Sequence, residues 1–316
     1  MNTYHLIDPA YHGLVAKFPA FDPAKQTVQQ RRADLLAAYT QAAPAAPVPR
    51  EVRVVPGPTG APDVRVLLYR PEPAQPTRPA ILYLHGGGFI AGIPDWEDAT
   101  YLALAHTHQA VVVAVDFRLA PETPFPGPVE DCYAALDWLF TQAGTLGTDP
   151  TRIVVAGESG GGGLAAALAL LARDRGRHAL RGQTLTYPML DPRTGAASAP
   201  VDNPMTGEFV WTRAANQFAW HALRGPATIA PEQVGHFAPA LADDLSGLPP
   251  TFIGVGALDL FLEENMAYAL RLVRAGVPVA AHVYPGSMHA FKNVPRAPTD
   301  LFKADLKAAL DQMLHG

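Results

Sequence analysis

Residues Gly157 to Gly161 read Gly-Glu-Ser-Gly-Gly and directly follow the apolar run Ile153–Ala156. A strand that runs into G-x-S-x-G and then into a Gly-, Ala- and Leu-rich helix is the setting of a sharp, strained turn that lifts a serine above a sheet. Small residues must flank Ser159 in such a turn. The helix that starts behind it presents N–H groups and a dipole that favours negative charge. The chemistry this suits is nucleophilic attack by a hydroxyl on a carbonyl. A second loop has a matching character. His85-Gly86-Gly87-Gly88-Phe89 follows the apolar run Ile81–Leu84. Three glycines at a strand end expose backbone N–H groups that can donate to an oxyanion, and without Cβ atoms they let a substrate approach closely. A nucleotide-binding reading is poorer: the chain has no G-x-x-x-x-G-K-[ST], and Gly160-x-Gly162-x-x-Ala165 starts behind the serine, inside the helix.

A nucleophilic serine needs a base, and the base needs an orienting carboxylate. Among 11 histidines, position decides. His106 and His108 lie two apart on a helix and cannot share a face. His5, His12, His178 and His221 fall in helical or surface contexts and are expected to be solvated, while His85 is expected to shape the glycine loop. His289, in Gly286-Ser287-Met288-His289-Ala290-Phe291, follows the last apolar strand and lands at its carboxyl end, where sites assemble in open α/β sheets. For the acid, Asp259 follows Phe252–Val255 and precedes His289 by 30 residues, one strand–helix–strand unit. Asp191 is a rival. Glu263 and Glu264 lie further into the next helix and are expected to cap it or to be solvated.

Those residues need a frame. The short apolar runs Ile81–Leu84, Val111–Val115, Ile153–Ala156, Phe252–Val255 and Val279–Tyr284 have the pattern of strands buried on both faces. Leu180–Tyr187 supplies another. Helical patterns near Asp98–Thr107, Val129–Gln142, Gly160–Arg173 and Glu263–Ala275 lie between them, so a doubly wound, mostly parallel sheet is expected. Glu51–Val55 and Asp63–Tyr69 alternate and are bracketed by prolines, as an antiparallel edge would be. The first helix, Gln26–Ala42, places Val28, Leu35, Leu36 and Tyr39 on one broad apolar face and stops in the proline-rich stretch 43–49. Pro188 to about Gly235 breaks the strand–helix rhythm and carries Phe209, Trp211, Phe218 and Trp220. It reads as an insertion folded over the carboxyl ends of the strands. The expected division is therefore 1–49 cap helices and linker, 50–187 core, 188–235 cap insertion and 236–316 core.

Composition limits the rest. Of 316 residues, 48% are hydrophobic and 17% charged, with 24 basic against 29 acidic side chains. A disordered chain needs the opposite balance, and a formal charge of −5 is not the basic footprint of a nucleic-acid binder. Cys132 is the only cysteine, so no intramolecular disulfide forms, and a cytoplasmic location is expected. Met1–Ala10 has no apolar run of the signal-peptide kind. The longest apolar helical stretch, Gly161–Ala172, is shorter than a membrane span. Val279–Tyr284, as a last strand, offers an edge on which a homodimer would pair.

Taken in order, His85-Gly86-Gly87-Gly88, Asp116-Phe117-Arg118-Leu119-Ala120-Pro121-Glu122, Gly157-Glu158-Ser159-Gly160-Gly161, Asp259-Leu260 and His289-Ala290-Phe291 resemble the hormone-sensitive-lipase-like esterases, the bacterial family IV carboxylesterases. The resemblance covers the chain from about residue 65 onward. It implies an α/β-hydrolase fold with about eight strands, flanking helices and a helical cap. It also implies a Ser159/His289/Asp259 triad, an oxyanion hole from the N–H groups of Gly87, Gly88 and Gly160, and hydrolysis of short-to-medium acyl esters with no metal or organic cofactor. Phe89, Phe209, Trp211 and Phe218 are the expected aromatic lining of the substrate pocket. The alternatives are a small-amide hydrolase and a non-catalytic ligand-binding relative on the same fold. The family usually carries alanine where this chain has Gly160, which predicts a looser turn and a roomier hole. Arg118 to Glu122 is expected to brace the loop beside the glycines.

Overall fold

A computed structural model describes residues 2–17, 20–42, 48–72, 77–294 and 297–316. The proline-rich stretch 43–47 expected to link the first helix to the core lies outside the described residues. The strands are β1 Glu51–Val55, β2 Val64–Tyr69, β3 Arg78–Leu84, β4 Val111–Asp116, β5 Thr148–Glu158, β6 Gly182–Thr186, β7 Thr251–Gly256 and β8 Val279–Tyr284. They form one sheet in the order β1-β2-β4-β3-β5-β6-β7-β8. β1 pairs antiparallel with β2, β2 pairs antiparallel with β4, and every other pairing is parallel. The expected antiparallel edge and doubly wound centre are both present.

Side chains along a strand alternate between faces, and the core divides accordingly. Ala80, Leu82 and Leu84 of β3 belong to the apolar cluster on one face, packed by the helices Gly127–Thr141 and Gly160–Arg175. Ile81 and Tyr83 belong to the other, packed by Asp98–His108 and Ala297–His315. Every residue from Gly160 to Ala172 is buried, because this helix is enclosed on all sides, the condition for a helix apolar all round.

The register decides what meets at the carboxyl edge. Leu84 lies opposite Gly157, Glu158 opposite Thr186, Thr186 opposite Gly254 and Gly256 opposite Tyr284. The loops that follow β3, β5, β7 and β8 therefore leave the sheet at nearly one level. These are the loops carrying the glycines, Ser159, Asp259 and His289.

The interval after Tyr187 contains one helix of substantial length, Arg213–Arg224. The hydroxyl of Thr212 caps it by accepting from the Ala215 N–H, a contact that satisfies one of the orphan donors of the first turn. The first long helix runs Val28–Ala42. Its expected apolar face is only partly enclosed, since Val28 is buried whereas Leu36 is 51% exposed. Leu35, Leu36 and Tyr39 face a cavity instead.

Candidate active site

Ser159 stands between β5 and the helix Gly160–Arg175 with φ +53° and ψ −123°. A non-glycine residue rarely adopts that backbone, and a structure retains it only where the surroundings enforce it. Here the Ser159 N–H donates to the Thr186 carbonyl (2.9 Å), and the Ser159 carbonyl accepts from the N–H groups of Gly163 and Met189 (3.0 Å each). The turn is held from both sides.

The structure brings three of the expected residues into one hydrogen-bonded line. Ser159 Oγ is 2.9 Å from His289 Nε2, and His289 Nδ1 is 2.8 Å from Asp259 Oδ2. Asp259 is fully enclosed, and its other oxygen accepts the Phe261 N–H at 3.0 Å. The loops bearing the acid and the histidine are tied together by the Leu258 N–H, which donates to the Ser287 carbonyl (2.9 Å). Tyr187, Phe261 and Trp211 surround the imidazole, with ring centroids at 4.8, 5.3 and 6.3 Å. The rival Asp191 is not part of this line, because its carboxylate is bound by the Arg193 guanidinium (2.7 Å).

The glycine loop lies against the start of the same helix. Gly87 and Gly88 have φ of +120° and +59°, values that a side chain disfavours. A Cβ on Gly160 would fall 2.8 Å from the Phe89 nitrogen, 2.9 Å from the Gly88 Cα and 3.0 Å from the Gly88 nitrogen. The expected extra room is therefore absent: the loop occupies the space an alanine methyl would take. The Arg118–Glu122 stretch braces this loop as anticipated. The Ala120 N–H donates to the Phe89 carbonyl (2.9 Å), Arg118 pairs with the buried Asp131 (2.6 Å), and Arg32 binds Glu122 together with the carbonyls of Ile90 and Ala120.

His85 is buried, with Nδ1 2.8 Å from the Gly86 carbonyl and its ring stacked on Phe117 at 4.2 Å. Its Nε2 is buried without a hydrogen-bond partner, so a proton there would be poorly solvated. Burial lowers its pKa from 6.5 to about 4. Above pH 6.5 the ring is neutral in the folded and unfolded chain alike. As the pH falls, the unfolded chain takes up a proton that the buried ring refuses until about pH 4, so stability is lost through that interval. The loss amounts to about 3 kcal/mol at 1.36 kcal/mol per pH unit. Denaturant unfolding at pH 7 and pH 4 should show His85→Gln losing about 3 kcal/mol less than the parent chain; equal losses would refute this assignment.

Ser159, His289 and the glycine loop open onto a cavity of about 710 Å³. Of the four expected lining aromatics only Trp211 contributes. Phe89 turns behind its loop onto Trp220 (5.1 Å), Phe209 meets Tyr4 (6.1 Å) and Phe218 meets Phe21 (5.5 Å). The aromatic wall is instead Tyr39 stacked on Trp96 at 4.4 Å, with Phe21 and Tyr187. Tyr39 belonged to a recognisable apolar helix face; for Trp96, in the short turn Pro94–Glu97, no periodicity signalled a wall.

Two further expectations change, for Glu264 and His178. Glu264 is neither a cap nor solvated: it is buried and accepts from the Leu190 N–H (2.6 Å) and the Thr194 hydroxyl, while burial pushes its pKa well up. Glu263 accepts from Asn203 (2.8 Å). His178 is stacked on Phe140 (4.3 Å) and bonded to Asp137 (2.7 Å), with a side chain only 8% exposed. The buried polar groups of Glu264 and His178 thus have the partners that desolvation demands.

A parallel sheet with flanking helices, and a serine, histidine and carboxylate line at its carboxyl edge, define an α/β-hydrolase. The family model of the α/β-hydrolase fold matches residues 81–293. The chain belongs to that family and, within it, to the hormone-sensitive-lipase-like carboxylesterases. It is 37% identical over 295 residues to the carboxylesterase NlhH of Mycobacterium tuberculosis, covering 91% of this chain and 89% of that one. It is 35% identical to an ethyl acetate hydrolase of Pseudomonas putida, over 72% of this chain and 70% of that protein. Among solved structures, a bacterial heroin esterase superposes with a TM-score of 0.90 at 34% identity and complete coverage of both chains. The protein is a carboxylic ester hydrolase.

Proposed function

We propose that Ser159 is the nucleophile, His289 the general base and Asp259 the residue that orients the imidazole, acting on esters of short-to-medium acyl chains. The continuous line of 2.9 and 2.8 Å contacts opening on the cavity is the observation that carries this reading. Ser159 Oγ attacks the ester carbonyl as His289 Nε2 takes its proton. The oxyanion is met by the N–H groups of Gly87, Gly88 and Gly160, the last free of any intrahelical acceptor as the first residue of its helix. His289 then protonates the leaving alcohol, and water, activated by the same ring, releases the acid.

A cavity of about 710 Å³ is in the range that holds a small ligand, and relatives named for ethyl acetate and heroin support small acyl groups. The cap is assigned to residues 1–49 and 188–235, supported by the cavity positions of Leu14, Leu35, Tyr39 and Trp211. A cytoplasmic location rests on Cys132, which is buried and unpaired; fractionation into another compartment would remove it. A homodimer through β8 rests on that strand's place at the end of the sheet; a monomer mass by light scattering at all concentrations would remove it.

Nitrophenyl esters of acyl length two to about twelve carbons should show an optimum at the short-to-medium end. After rapid quench, mass spectrometry should locate the acyl group on the Ser159 peptide. An acyl group on another residue would displace Ser159. Inactivity on every ester would favour the binding-protein alternative.

A further inference from the structure

Lys292 lies three residues beyond His289, in the short turn Phe291–Asn293, and its side chain is 9% exposed. Its ammonium is 2.7 Å from Glu158 Oε2 and 3.1 Å from Glu97 Oε2. Both carboxylates are nearly as enclosed, at 10% and 11%. Glu158 immediately precedes Ser159. Glu97 ends the turn that carries Trp96 into the cavity wall. The Tyr187 hydroxyl donates to the same Glu158 oxygen (3.1 Å), and the Tyr187 ring packs on the His289 imidazole at 4.8 Å. One ammonium thus joins the turn that bears the serine, the loop that bears the histidine and the wall of the cavity.

Such a cluster is costly. Each enclosed charge loses its hydration, and an apolar substitute of similar volume is often no less stable than a buried ion pair. Two carboxylates on one ammonium leave a negative excess. Burial works against the Lys292 charge, but Glu158 and Glu97 outweigh it and raise its pKa well above 10.5, so the ammonium stays charged across the working range. Stability gives a weak account of three charges in this place. Geometry gives a better one, because the cluster spans the two segments whose spacing sets the Ser159–His289 contact. A misplacement of about 1 Å in such a pair costs on the order of a hundredfold in rate.

We propose that Lys292 is a positioning residue that, through Glu158, holds the serine turn and the histidine loop in register for proton transfer. This rests on the reading of Ser159 and His289 as nucleophile and base. The ammonium makes no contact with the reacting atoms and transfers no proton. Its two carboxylate contacts and the Tyr187 hydroxyl fix where Glu158 lies, and with it the backbone that aims Ser159.

The test uses Lys292→Met, Lys292→Arg, Glu158→Gln and the double variant Lys292→Met/Glu158→Gln in the full chain. The reactive serine is titrated with a nitrophenyl phosphonate, so that kcat refers to competent sites only. Lys292→Met is expected to lower kcat per site about 10- to 100-fold, with KM within about threefold. Lys292→Arg should recover most of that loss. Glu158→Gln, which keeps an acceptor for Tyr187, should reproduce a similar loss, and it carries the test alone if Lys292→Met does not fold. The double variant should be little worse than either single one, because both break one linkage. A kcat per site that is unchanged while only the melting temperature falls would overturn the proposal, as would losses that simply add. A parent enzyme that fails to titrate would instead overturn the assignment of Ser159.

Discussion

Asp259→Asn is expected to lower kcat by about four orders of magnitude while KM and the fold change little. Donors and acceptors decide the outcome. Both carboxylate oxygens are used, one by His289 Nδ1 at 2.8 Å and one by the Phe261 N–H at 3.0 Å, and the group has no exposure to water. An asparagine can satisfy only one of these. If its amide nitrogen faces His289, the imidazole must carry its proton on Nε2, directed at Ser159 Oγ, where it can no longer accept the serine proton. If its oxygen faces His289, its nitrogen opposes the Phe261 N–H and two buried donors meet. Steady-state kinetics on nitrophenyl acetate, beside the melting temperature, check this. A kcat within about tenfold of the parent value would pass the orienting role to another group.

The second large effect concerns a methyl group. Gly160→Ala is expected to reduce kcat about 100-fold or more, with KM much less affected. The new Cβ would lie within 3.0 Å of three backbone atoms of Gly88 and Phe89, so the loop must move. It is pinned by the Ala120 N–H on the Phe89 carbonyl and by Arg32 on the Ile90 carbonyl (2.7 Å), and Gly88 packs closely against the Trp211 indole. The displacement therefore falls on the amides of Gly87 and Gly88. Misaligning one oxyanion donor costs about 10²–10³ in kcat, and the loss appears in kcat because the donors act most strongly when charge develops. Unchanged kinetics would show that the loop yields without cost and that these amides are not the donors.

The parts of this site that were legible in the sequence share a local origin. Ser159 and Asp259 each follow an apolar run that is buried on both faces, and His289 follows one expected to be so that lies instead at the sheet edge, largely exposed apart from Tyr284. All strands of a parallel array end on the same side, whether central or at the edge. Chain order and strand direction were then enough to collect them at one edge. The glycine loop was legible for the same reason, since glycines after a buried strand have few roles. Three of the four expected lining aromatics lie elsewhere: Phe89 and Phe209 sit in loops, where no periodicity tells which way a ring turns, and Phe218 is on the helix Arg213–Arg224, packed against the core and Phe21. Glu264 and His178 misled for a related reason: a charge in a helical pattern reads as solvated until its neighbours from distant segments are known.

Alternation of strand and helix, the carboxyl-edge placement of the serine, histidine and carboxylate, and the character of the turn at Ser159 follow from short-range pattern, because the pleat and the helix period act over a few residues. Which atoms close the oxyanion loop, which rings line the cavity and how Lys292 comes to sit between Glu97 and Glu158 were decided only when segments as far apart as residues 39, 97, 158 and 292 packed together. Enclosed charge and steric contact depend on everything within a few ångströms, whatever its distance along the chain, and that neighbourhood exists only in the folded protein.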